Sequence, residues 1–212
     1  MTMTQAQDPG PARFADLKKF PAEPTARLLA AKSTKLATPL MAPASARIET
    51  TLTELAEKEA WVDILRLIAV ALPPREAVWW ACLAARDTLP EGQETPCLKA
   101  AEAWVFKPND ETREAVQKAL DAVDTDDDTA MAATAALYAP GSLGLGDMAE
   151  HAAPPSAVGA CVFGMNVTAM GAVTAPLDHL QLLIDRGLDI ARGGNGRPKD
   201  AAKAPATEAE TP

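Results

Sequence analysis

Two tryptophans stand side by side at Trp79 and Trp80, inside the run Leu72-Pro73-Pro74-Arg75-Glu76-Ala77-Val78-Trp79-Trp80-Ala81-Cys82, and no other feature restricts the fold as much. The residues around them favour a helix, on which successive side chains point about 100° apart. An adjacent indole pair therefore needs neighbours on two faces, which places this helix inside a helical assembly. Pro73 and Pro74 add to this. They end the apolar segment from Trp61 to Leu72 and can start the next helix, because a proline in the first turn has no hydrogen bond to lose. Val62, Ile64, Leu65, Leu67, Ile68, Val70 and Leu72 make that earlier segment apolar nearly all round, so both members of the hairpin are expected to be buried.

The same punctuation recurs along the chain. Ser45 reads as the N-cap of a helix carrying Ile48, Leu52 and Leu55, and Thr95-Pro96 opens one through Leu98, Ala101, Trp104 and Val105 that Pro108 closes. Asn109 and Asp110 cap a helix with Val116, Ala119, Leu120 and Val123, and a short one follows from Thr129 to Tyr138. The last begins at Pro176, with Leu177, Leu180, Ile184, Leu188 and Ala191 on one face and Gly193-Gly194 as its stop. Aromatic residues make up only 4% of the chain while alanine is everywhere, a bias against strands. The expected fold is all-α, an irregular bundle of short helical hairpins that is solenoid-like in part, with no fixed repeat.

Charge divides the chain. Residues 1–47 carry seven basic and three acidic side chains, residues 48–150 eight and twenty, and residues 151–212 five and six. We read residues 1–43 as a basic, Pro-containing arm with a possible short helix from Pro24 to Lys35, 44–194 as the helical domain, and 195–212 as a disordered tail. A strongly acidic body repels nucleic acid and anionic lipid, and suits a partner with a basic or hydrophobic segment. Ala152 to Leu177 contains no charged residue, but between Pro155 and Pro176 it also lacks Leu and Ile and includes three glycines. That composition describes a closely packed interior helix better than a membrane span. The polar N-terminus and three unpaired-looking cysteines, Cys82, Cys97 and Cys161, point to a cytoplasmic protein with reduced thiols.

No catalytic, cofactor or metal residue stands out. Asp124, Asp126 and Asp128 match the first carboxylates of a calcium loop, but Thr129 and Ala135 occupy the positions that need Gly and Glu. Gly144-Leu145-Gly146-Asp147-Met148-Ala149 has the glycine spacing of a dinucleotide loop without the strand such a loop follows. His151 and His179 have no cysteine at metal-ligand spacing, and His179 reads as a surface or capping residue beside Asp178. Arg75, in the first turn of its helix, opposes that helix's dipole and requires a partner elsewhere, whereas Arg86 at the far end complements it. Arg75, Glu76, Trp79 and Trp80 are the candidate partner-binding residues.

The Leu72–Cys82 run, with Ala103-Trp104 and Pro108, resembles an uncharacterised all-α family of proteobacteria associated with type VI secretion gene clusters. The resemblance covers residues 45 to 193 and implies a helical accessory protein without a known active site. The expected function is a non-enzymatic protein-binding module, an adaptor or effector chaperone of a secretion system. The alternative is a small-ligand enzyme using the Gly141–Gly146 loop.

Overall fold

In the computed structural model, which describes residues 11–123 and 127–197, nine α-helices follow one another without a strand. They are α1 (Thr25–Ala31), α2 (Ile48–Glu57), α3 (Trp61–Ala71), α4 (Pro74–Asp87), α5 (Pro96–Phe106), α6 (Asp110–Asp121), α7 (Ala130–Tyr138), α8 (Ala157–Gly171) and α9 (Pro176–Arg192). The fold is all-α. Prolines open α4, α5 and α9 within their first turns, and Thr95 and Asn109 act as side-chain caps. Thr95 Oγ1 accepts from Leu98 N at 3.1 Å, and Asn109 Oδ1 accepts from Thr112 N at 2.9 Å. Ser45 does not cap α2, which starts after Arg47 without a side-chain cap.

Consecutive helices pack on one another from α4 to α7, and α8 then lies across them, touching α3, α4, α7 and α9. This explains its uncharged, glycine-containing sequence. A Cβ added at Gly159 would come within 2.6 Å of Val70 Cγ1, so α8 approaches α3 closely only where the side chain is missing. No helix among the described residues is long and apolar enough to cross a membrane. Trp80 of α4 is fully buried, and its Nε1 donates to Leu183 O of α9 at 3.0 Å. The inward face of α9 comprises Leu180, Leu183, Ile184, Leu188, Ile190 and Ala191, whereas Leu177, expected on that face, is 73% exposed in the first turn.

The expected N-terminal arm needs correction from Pro11 onward. Phe14, Leu17, Phe20 and Leu28 are buried in the same core as the helices. The backbone between α1 and α2 is held by two acids of the body. Asp63 accepts from Ala37 N at 3.1 Å and Thr38 N at 2.7 Å, and Glu54 from Met41 N at 2.5 Å and Ala42 N at 2.8 Å. Two ion pairs accompany this apolar docking: Lys19 with Glu76 at 2.6 Å and Arg13 with Asp185 at 2.8 Å. Residues 1–10 lie outside the described residues. The expected tail also starts too early. Gly196 is buried and donates its N–H to Asp189 Oδ2 at 2.8 Å, so the chain stays on the body through Arg197, and positions 198–212 lie outside the described residues.

Candidate functional site

Three helix ends meet at one surface. The first turns of α4 supply Arg75, Glu76 and Trp79, spaced so that Arg75 and Trp79 lie one above the other. The C-terminus of α5 supplies Val105 and Phe106, and the segment after α9 supplies Gly194 and Asn195. With Lys19 and Ile190 they line an open groove of about 290 Å³. Its apolar floor is the Trp79–Phe106 pair, with ring centroids 6.0 Å apart and planes inclined at 60°. Phe106 is 72% exposed, and Trp79 is half-buried.

Polar contacts fix the walls. Trp79 Nε1 donates to Asn195 O at 2.8 Å, so the indole offers a ring face and no free donor. Arg75 Nε donates to Val105 O at 2.6 Å. The partner that Arg75 requires is thus one of the last carbonyls of α5, and a cation misplaced at one helix N-terminus is well placed at another's C-terminus. Lys19 Nζ reaches Glu76 Oε1 at 2.6 Å across the groove wall. Of the four candidate residues, the structure brings Arg75, Glu76 and Trp79 together here and places Trp80 in the core, about 100° further round α4. Phe106, the exposed aromatic of the groove, was not singled out from sequence; it follows Trp104-Val105 and reads as the end of an ordinary core helix.

The other candidates take different roles. Arg86 forms a two-pronged pair with Glu102, 2.6 Å at both contacts, joining α4 to α5. Asp124 and Asp126 lie outside the described residues; Asp127 accepts from Thr129 N at 2.9 Å ahead of α7, and Asp128 is exposed. Among the described residues no three His, Cys, Asp or Glu side chains are grouped to hold a metal ion. The loop containing Gly144–Ala149 closes on itself, with Leu143 N bonded to His151 O at 2.9 Å and Ala153 N to Gly141 O at 3.0 Å. Arg113 of α6, 4% exposed, pins that loop by donating Nε to Leu137 O at 2.9 Å and Nη2 to Ser142 O at 3.0 Å.

His179 is not a surface residue. Its side chain is 11% exposed, with Nε2 3.2 Å from Asp87 Oδ2, a carboxylate that also pairs with Arg186. Burial lowers its pKa below the ordinary histidine value, against the pull of Asp87. Cys82 and Cys161 are pushed up by burial and Cys97, also by burial, to about 11, so all three are protonated thiols at neutral pH and poor nucleophiles. Cys97 borders a cavity of about 480 Å³ between the end of α4, the start of α5, the end of α6 and the residues that lead into α7.

The chain belongs to a family of unknown function, DUF6931, whose model matches residues 51–191. None of the curated proteins and none of the solved structures matches it. The matched region contains Arg75, Glu76, Trp79, Val105, Phe106 and Ile190 of the groove, while Lys19, Gly194 and Asn195 flank it on both sides.

Proposed function

We propose that this chain is a non-enzymatic protein-binding module, in concrete terms a cytoplasmic adaptor or effector chaperone of a bacterial secretion apparatus of the type VI kind. The observation that carries the binding role is Phe106, a large aromatic side chain left 72% exposed beside Trp79 at the last residue of α5. Exposed aromatics at the centre of a walled groove are the usual anchors of protein interfaces. The secretion context rests on the resemblance carried by the Leu72–Cys82 run, and the cytoplasmic location on three free cysteines. The enzyme reading built on Gly141–Gly146 gains no support from that loop, where the N–H of Leu143 is spent on a backbone carbonyl and the buried cation Arg113 is spent on carbonyl oxygens.

The test is quantitative recovery of partners from a native bacterial extract on the immobilised wild-type chain and on Phe106→Asp. One partner at near-stoichiometric amount, recovered by the wild type and lost with the variant, supports the proposal. Equal recovery by both refutes the groove as the binding surface. Reproducible thermal stabilisation by a small metabolite would refute the non-enzymatic reading.

A further inference from the structure

We infer that the Trp79–Phe106 groove recognises an acidic peptide segment with one large apolar anchor, a carboxylate within a few residues of a Leu, Phe or Trp. This rests on the protein-binding reading above and adds the chemistry of the partner. The first observation is local charge. The protein as a whole carries a net charge of −9, yet the groove is lined by two cations, Lys19 and Arg75, and one anion, Glu76. Of the charged positions directly beside its lining residues, Lys18 and Lys107 are exposed cations, Lys107 reaching Glu111 at 3.4 Å, and Asp189 is the one anion, with its carboxylate taken up by the N–H of Gly196 at 2.8 Å, so the cations still outnumber the anions here. A basic groove on an acidic molecule steers an acidic segment toward itself while the rest of the surface repels it.

The second observation is the state of Arg75. Its Nε is fixed on Val105 O at 2.6 Å, and among the described residues its two terminal nitrogens make no hydrogen bond. A guanidinium held by its inner nitrogen presents the outer pair already oriented, the geometry that receives both oxygens of a carboxylate. Lys19 is bonded to Glu76 through one of its donors and keeps the others for a second acceptor.

The third is size. At about 290 Å³ the groove sits at the lower limit of about 300 Å³ for small-molecule sites, and it is open to solvent along its length. It suits one inserted side chain of a longer ligand better than an enclosed metabolite. The exposed face of Phe106 and the indole face of Trp79 supply the apolar contact, and the Arg75 fork supplies the anionic one. The acidic body led us to expect a basic or hydrophobic partner; at this groove the sign of the charged flank is reversed and the hydrophobic element is kept.

The experiment is selection from a displayed library of random twelve-residue peptides on the full chain, with counter-selection on Phe106→Asp. The expected enrichment is a large apolar residue with Asp or Glu within four positions. For a selected peptide, Arg75→Met weakens binding about tenfold or more and Arg75→Lys less, since lysine keeps the charge and loses the fork; the affinity also falls with added salt. Melting curves for both variants separate a binding loss from a folding loss. Enrichment of basic peptides that depend on Phe106 overturns this inference and leaves the protein-binding proposal standing. No Phe106-dependent enrichment overturns the inference, and the extract experiment then decides the proposal separately. A wild-type dimer that Phe106→Asp converts to a monomer would make a second copy the occupant. Peptides that bind only after deletion of residues 198–212 would make the chain's own end the occupant. Either result overturns an external acidic ligand.

Discussion

Replacing the two adjacent tryptophans one at a time separates interior from groove. Trp80 is fully buried among α3, α4 and α9, with its ring against the backbone of Gly187, where an added Cβ would lie 3.2 Å from the indole. Truncation to alanine leaves a cavity that the surrounding helices fill only in part, and such changes cost about 3–5 kcal/mol. The lost hydrogen bond adds little, because Leu183 lies inside α9, where its carbonyl also serves the helical ladder. For a domain of this size each kcal/mol lowers Tm by about 2–4 °C, which gives a drop of roughly 6–20 °C. Trp79 is half-buried, and its alanine variant loses one hydrogen bond to Asn195 and contact with an already exposed Phe106, a loss of about 1–2 kcal/mol. Thermal and urea unfolding followed by circular dichroism reads both. If Trp79→Ala destabilises as much as Trp80→Ala, or Trp80→Ala melts with the wild type, the assignment of Trp80 as the interior anchor is wrong.

Three further outcomes follow from the packing and the buried charges. Gly187→Ala gains helix propensity of about 1 kcal/mol but drives a methyl group to 2.8 Å from Ile68 Cγ2, and is expected to lower urea-derived stability by about 1–2 kcal/mol net. Asp63→Ala removes the acceptor of two backbone N–H groups and the partner of Arg66, at a cost of about 2–4 kcal/mol by urea titration; an unchanged midpoint would mean that the 37–38 segment is held by other contacts. Stability also falls on acidification in two stages. His179 has a folded pKa below the unfolded value of 6.5, so the unfolded chain takes up the proton first and stability drops as pH falls below that value. Glu54, held at about 2 chiefly by the Lys58 hydrogen bond and then by Met41 N, contributes stability above its ordinary pKa that is lost as pH descends toward 2. His179→Gln should flatten the dependence just below about pH 6.5 and leave the lower limb in place, which pH-dependent urea titrations would show; an unchanged slope would contradict the burial of a neutral imidazole.

Much of the helical frame was legible because proline, Thr95 and Asn109 mark helix starts through local chemistry that needs no tertiary context. The N-terminal segment was misread for the opposite reason. Phe14, Leu17 and Phe20 sit among prolines and charges with too short a periodic run to signal an element, and they are buried only because the folded body, α2 and α9 in particular, provides the surface. The groove was half legible. Arg75 announced itself by lying at the wrong end of a dipole, and Trp79 by its neighbour, but which indole faces inward depends on helix rotation, which α9 sets through Leu183 and Gly187. Phe106 gave no signal, since exposure at a helix C-terminus is a property of the assembled molecule.

Arg13 finds Asp185 and Gln181, and the amide of Lys19 finds Ala191 O, so an early segment of the fold is completed by a helix synthesised long after it. The separation of 172 residues between Arg13 and Asp185 corresponds, at about 5–20 residues per second, to a wait of roughly 10–35 s during synthesis. α8, which covers α3, α4 and α7, emerges in the same late interval. Until α8 and α9 have been made, the faces of Val70 and Trp80 that they cover, at Gly159 and Leu183, have no partner in the nascent chain. The pace at which α8 and α9 are made therefore sets how long those two apolar faces stay open to other chains.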